Sequence, residues 1–116
     1  MSEKSTRVSG WKARPYVQQL KPFHNSNKQL YARWENFSTH DDGPRYVVYS
    51  YGSHWPLYIH YNGRWYGNAE KTSRTTTKHS SQTHPLTDVT WLTKRDMIVL
   101  AERGITSLTA NRVGAK

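Results

Sequence analysis

The chain has 116 residues, which is long enough for one domain with a core but not for two. It has no cysteine, which excludes disulfide frameworks, cysteine-ligated zinc and thiol catalysis. Its 17 Lys and Arg against 8 Asp and Glu give a formal charge of +9, and the natural partner of such a protein is a polyanion, DNA or RNA. The alternative is that the basic charge serves only solubility.

The positive charge is concentrated in two segments without an acidic residue, called here the two acid-free segments. Residues 4–34 contain seven Lys or Arg, and residues 71–87 contain three Lys or Arg and two His. Residues 41–70, between them, carry three acids against two Arg. This distribution predicts that contacts to a polyanion lie on the flanks rather than in the centre of the chain.

The first residues are polar and basic. Residues 1–14 predict a flexible basic arm, in which Lys12 and Arg14 are candidate contacts to nucleic acid. Residues 15–21 are typical of a short extended piece and residues 24–27 of a turn. We expect no signal peptide and no membrane span, because no apolar run has the required length.

Large side chains alternate along residues 28–37 and 46–51, which predicts two β-strands. A hairpin follows, because Asn62-Gly63 separates two further alternating runs and both central positions of a type I′ turn need a positive φ. One hairpin face is apolar and suits a core: Leu57, Ile59, Tyr61 and Tyr66. The other face, with Tyr58, His60 and Trp65, can stack unpaired bases if exposed. The alternative is that the N-terminal segment or a partner covers it.

The second acid-free segment allows two structures, a Thr-rich strand or a short helix capped by one of the three Thr at residues 75–77. Either would present hydroxyls, amides and cations together, which suits phosphate. The candidate contacts here are Lys71, Arg74, Thr76, Lys78 and His79. A second use of this segment is metal-free nuclease chemistry, with His79 and His84 as general acid and base and Lys78 stabilising charge.

The best-marked helix is predicted over residues 94–103. Thr93 to Asp96 resembles a capping box, and the apolar stripe after it suits packing on the sheet. Gly104 ends the helix. Beyond it, the alternatives are a frayed tail and a loose helix-turn-helix.

These elements predict an α+β fold: a three- to four-stranded antiparallel sheet, a meander with the Asn-Gly hairpin, packed by one C-terminal helix. The single domain covers residues 15–108, and residues 109–116 form a tail. We expect no metal site, since the few carboxylates are scattered, and no cofactor, since no phosphate-binding or metalloprotease motif occurs.

One pattern of short motifs resembles a known group of proteins. The motifs, in order, are Tyr49-Ser50-Tyr51, Pro56-Leu57 and Thr75-Thr76-Thr77-Lys78-His79. Their order over residues 46–82 resembles short uncharacterised proteins of tailed bacteriophages, with Thr77 where that group has Ser. The resemblance implies a phage or prophage origin and action in the cytoplasm of a bacterial host, but no particular activity.

The leading hypothesis is therefore a small basic phage-type protein that binds nucleic acid non-catalytically, through its basic flanks and an aromatic sheet face. The first alternative is a host-takeover or anti-defence inhibitor that contacts a bacterial protein directly. The second alternative is the His-dependent nuclease.

Overall fold

The computed structural model describes residues 5–35, 44–50, 55–70 and 74–103. Within them, seven strands form one sheet in chain order. The strands are β1 Thr6–Arg7, β2 Phe23–His24, β3 Leu30–Glu35, β4 Arg45–Ser50, β5 Pro56–Tyr61, β6 Arg64–Asn68 and β7 Val89–Leu92. The helices are a 3-10 helix at Gly10–Lys12, α1 Arg14–Gln18, α2 Arg74–Thr83 and α3 Lys94–Arg103.

The prediction of a purely antiparallel sheet with three or four strands and one helix is wrong. Strands β2 to β6 do pair antiparallel, but β1 pairs with β2, and β6 with β7, in parallel. Parallel neighbours require a crossover connection. The first crossover carries the 3-10 helix and α1, and the second carries α2.

The two crossovers place their helices on the same face of the sheet. Four antiparallel pairings separate β2 from β6, so these strands run in the same direction, and both crossovers advance in the same sense along the sheet. Two crossovers of the same hand then put their helices on one side, and parallel crossovers are nearly always right-handed. Accordingly, the 3-10 helix and α1 both contact α2.

Both faces of the central strands are covered, and all six residues of β4 are buried. The core under α1 and α2 consists of Ala13, Val17, Phe23, Leu30, Ala32, Tyr46, Val48, Leu57, Tyr58 and Trp65. The core under α3 consists of Val47, Tyr49, Ile59, Leu92, Met97, Leu100 and Ala101. The N-terminal segment therefore supplies a second layer over the hairpin face that was expected to stack bases.

The hairpin is confirmed. Asn62 and Gly63 have φ of 52° and 78°, and His60 pairs with Trp65 as the turn dictates. One residue of the predicted apolar face is misplaced, because Leu57 packs on the α1 side. The register between β4 and β5 shifts at this point, and such an irregularity re-aims the side chains next to it.

Helix α3 begins and packs as predicted. The Thr93 hydroxyl accepts a hydrogen bond from the Asp96 amide at 3.2 Å, and the Glu70 carboxylate accepts one from the Lys94 amide at 2.7 Å. Near its other end, the buried Arg45 donates to the Ala101 carbonyl at 3.2 Å. A cation suits this end of a helix, where carbonyls lack partners. The predictions for residues 104–116, including the helix-turn-helix and the tail, lie outside the described residues.

The described part of the predicted flexible arm, residues 5–14, contains regular secondary structure. It forms β1 and the 3-10 helix, and α1 replaces the extended piece predicted after residue 14. Pro15 lies in the first turn of this helix, a position to which proline is well suited. Along the described part of the chain, no helix is both long and apolar enough to cross a membrane.

The edge strand β7, which the sequence pattern did not reveal, packs closely on β6 at Gly67, and this packing can be tested. A Cβ at Gly67 would lie 2.7 Å from both the Trp91 ring and Val89 Cγ1, so Gly67→Ala should lower the free energy of unfolding by about 1–3 kcal/mol. In a Trp91→Ala background, Gly67→Ala should lower the free energy of unfolding by less, because the Trp91 ring no longer clashes with the added Cβ. Denaturant unfolding of the four proteins measures this coupling. Equal costs in both backgrounds would contradict the packing of β7 on β6.

Candidate nucleic-acid interface

The 3-10 helix, α1 and α2 form one layer, called here the basic layer. Arg14 joins its parts, because its Nε donates to the His84 carbonyl at 2.9 Å and its Nη2 donates to the Ser81 carbonyl. Gln18 Nε2 adds a bond to the Pro85 carbonyl at 3.1 Å. These carbonyls lie at the C-terminal end of α2, where a positive charge is stabilising. Arg14, predicted to contact nucleic acid, is therefore engaged within the protein.

Helix α2 packs through polar side chains. Its buried residues are Thr76, His79, Ser80, Gln82 and Thr83. Buried polar groups need hydrogen bonds, and several are present. Ser50 Oγ and His79 Nδ1 share a bond of 2.8 Å, the Tyr58 hydroxyl donates to the Ser80 carbonyl at 2.9 Å, and the Thr83 hydroxyl donates to the His79 carbonyl at 2.7 Å. The buried side of α2 is thus a satisfied polar contact with the sheet.

The 3-10 helix lies tightly against α2. A Cβ at Gly10 would overlap the side-chain amide of Gln82, so the backbone of the 3-10 helix lies directly against this side chain. Ala13, at the end of the 3-10 helix, is fully buried. The turn that carries Trp11 and Lys12 is therefore anchored on both sides.

The outer side of the basic layer is cationic and carries one exposed indole. Lys12, Arg74 and Lys78 are exposed, and 75% of Trp11 is accessible to solvent. Lys78 Nζ lies 5.7 Å from the centroid of the Trp11 ring, which is cation–π distance. The three elements of this layer contain no acidic residue. Cations from both acid-free segments thus share one surface.

The opposite layer differs in charge. Helix α3 has three basic residues and two acids, Asp96 and Glu102, and Glu70 lies at its start. Arg45 also contacts this helix, and Arg33 lies over the Tyr31 and Tyr49 rings on the same side of the sheet. The two layers therefore differ in their acids: α3 carries both signs of charge, whereas the basic layer carries cations alone.

The aromatic face predicted to stack bases is covered by this layer. Only 1% of Tyr58 and 9% of Trp65 are exposed, and burial raises the pKa of the Tyr58 hydroxyl. His60 is half-buried, with its ring 5.0 Å from that of Trp65. None of the three forms an open stacking surface. Tyr58 and Trp65 instead belong to the core beneath the basic layer.

His79 is also unavailable at the surface, since it is buried with its ring nitrogen bonded to Ser50. Desolvation, and then the nearby Lys78, lowers its pKa below the ordinary 6.5. The neutral imidazole is therefore favoured. Thr76, another predicted phosphate contact, is buried on the same side of α2.

His84 faces a different environment. Its Nδ1 accepts a hydrogen bond from the Leu86 amide at 2.9 Å, and its ring lies 6.1 Å from that of Trp91. Lys78 extends outward to Trp11 instead. Of the three side chains proposed for nuclease chemistry, His79 thus contacts Ser50, His84 packs beside Trp91, and Lys78 lies over Trp11.

Two further predictions from the sequence concern Lys71 and a metal site. Lys71 lies outside the described residues, so its position is not part of the surface described above. Among the described residues, no group of three or more His, Asp or Glu side chains is arranged to hold a metal.

The functional candidate that sequence reasoning missed is Trp11. Its signal was a lone Trp beside Lys12 within an acid-free segment.

Comparison with known proteins adds no relative: no protein-family model, curated protein or solved structure matches the chain. The resemblance of residues 46–82 to short phage proteins stays a prediction.

Arg14 can be tested by removing its charge. Arg14→Met should lower the free energy of unfolding by about 1–2 kcal/mol, because carbonyls at the end of α2 lose two charged donors at a half-exposed site. Lys12→Met is the matched control and should change stability by less than about 0.5 kcal/mol, since Lys12 is exposed. Denaturant unfolding measures both. Equal effects would contradict the bridging role of Arg14.

The buried His79 predicts a pH dependence. Its pKa is lowered in the folded state, so below pH 6.5 the unfolded chain binds a proton that the folded protein does not, and stability falls as the pH decreases. In the His79→Asn variant, the new side-chain amide can still bond Ser50, but it does not titrate. This variant should therefore lose less stability than the wild type between pH 7 and pH 5. His60, whose pKa is also lowered by burial, contributes to the loss of stability that stays. An unchanged slope in unfolding experiments would refute the assignment.

Proposed function

We propose that the protein binds nucleic acid without doing chemistry on it, through the outer side of the basic layer. The supporting observation is that helices from the two acid-free segments, the 3-10 helix and α1 from the first and α2 from the second, lie side by side on one face of the sheet. Lys12, Arg74 and Lys78 are exposed there. Cations without intervening acids attract phosphate and release its counterions, which is the main source of affinity for nucleic acid.

Catalysis does not form part of this proposal. A nuclease would need His79 and His84 to reach one phosphodiester, whereas His79 is buried against Ser50 and His84 packs beside Trp91. The basic layer offers cations and an indole instead. Both groups bind nucleic acid without cleaving it.

The likeness of residues 46–82 to short phage proteins supports a proposal about where the protein acts. We propose the cytoplasm of a bacterial host, where host and phage nucleic acid are both accessible. The net charge of +9 suits such a ligand.

A second candidate function is direct contact with a bacterial protein. The observation that favours it is a pair of exposed apolar side chains beside His84: Trp91 is 46% exposed and Leu86 is 64% exposed. Trp is a frequent anchor in protein interfaces. This surface differs from the cationic one, so the two functions can be separated by variants.

The proposal predicts binding to a generic oligonucleotide that weakens steeply with salt. Lys78→Ala should weaken binding and lower the slope of log K against log salt by about one, as expected for one lost phosphate contact. Arg95→Ala removes an exposed helical cation from α3, on the opposite layer, and should leave the slope nearly unchanged. Fluorescence anisotropy across a salt series measures both variants.

Two results would contradict the proposal. One is the absence of binding at low ionic strength, which would favour the protein-contact candidate. The other is an equal effect of the two substitutions, which would indicate attraction by net charge rather than by the basic layer.

A further inference from the structure

We infer that the ligand of the basic layer is single-stranded nucleic acid and that an unpaired base stacks on Trp11. This inference rests on the proposed function and specifies its ligand. The feature that carries it is a 75%-exposed indole within a surface of exposed cations. Single-strand binders combine these two elements, a stacking ring for the base and cations for the backbone.

Trp11 is fixed in place although its ring is open to solvent. The 3-10 helix that carries it is closed by bonds from the Lys12 amide to the Ser9 carbonyl at 2.9 Å and from the Ala13 amide to the Gly10 carbonyl at 3.2 Å. Gly10 lies against Gln82 of α2. A preorganised ring loses less freedom when a base stacks on it.

The surroundings of Trp11 suit an anionic strand. Lys78 lies over the ring at 5.7 Å, and Lys12 is its neighbour in the chain. A base that stacks on the ring would bring its phosphates toward these cations. The bases of a duplex are stacked on each other and do not offer a free face, so this arrangement discriminates in favour of unpaired nucleotides.

Other tryptophans that reach the surface are held by the protein itself. Trp34 donates its indole N–H to the Leu20 carbonyl at 3.2 Å and contacts the Tyr46 ring edge-on. The Trp91 ring lies against Gly67 and near Tyr58. Trp11 is the most exposed of the three and the only one of them within the basic layer.

The test compares a single-stranded oligo(dT) with a duplex of the same length at low salt. The wild-type protein should bind the single strand more tightly. Trp11→Ala should weaken single-strand binding by about 5- to 100-fold, the range that loss of one stacked base implies, and should change duplex binding little. Trp11→Phe should retain part of the affinity, because its ring still stacks.

Controls separate this inference from the proposed function. Lys78→Ala should weaken binding to both oligonucleotides, and Trp34→Phe should affect neither. Thermal unfolding should show that Trp11→Ala folds like the wild type, as expected for an exposed site. Equal binding of single strand and duplex, or equal loss of both in Trp11→Ala, would overturn the inference while leaving the proposed function intact. Binding of neither oligonucleotide would overturn both.

Discussion

The handedness of two crossover connections determines where the charges of this protein lie. One crossover leads from β1 to β2 and the other from β6 to β7, and both advance in the same direction along the sheet. The same hand therefore places α1 and α2 on the same face. The 3-10 helix and α1 are far from α2 in sequence, yet this topology places them on the same face of the sheet, where packing contacts bring them together. Any function of the combined positive surface depends on this constraint.

Bringing two basic segments together creates repulsion, and the contacts between them are suited to offset it. Arg14 directs its guanidinium at carbonyls of α2 rather than at solvent, so one of the charges becomes an attraction. The buried side of α2 is polar, but its groups are paired, as in the bond between Ser50 and His79. The remaining cations, including Lys12 and Lys78, face outward. The layer is therefore stable through its inner contacts and positive on its outer surface.

Elements with strong local signals were predictable from the sequence. The hairpin follows from Asn62-Gly63, and α3 follows from the cap at Thr93, because both depend on neighbouring residues. The parallel strands were missed, since β1 and β2 have two residues each and β7 depends on a partner across a crossover. The two segments of positive charge were evident, but their meeting was not, because tertiary contacts decide it. The sequence left open whether Tyr58 is exposed or covered, for the same reason: its contacts with Ser80, His84 and Trp91 come from distant parts of the chain.

Hydrogen–deuterium exchange, with and without a single-stranded oligonucleotide at low salt, can test whether the two acid-free segments form one surface that binds nucleic acid. We expect slower exchange on binding at residues 10–14 and 74–84 together, with residues 94–103 in α3 unaffected. Protection confined to one of the two segments, or centred on α3, would contradict this expectation.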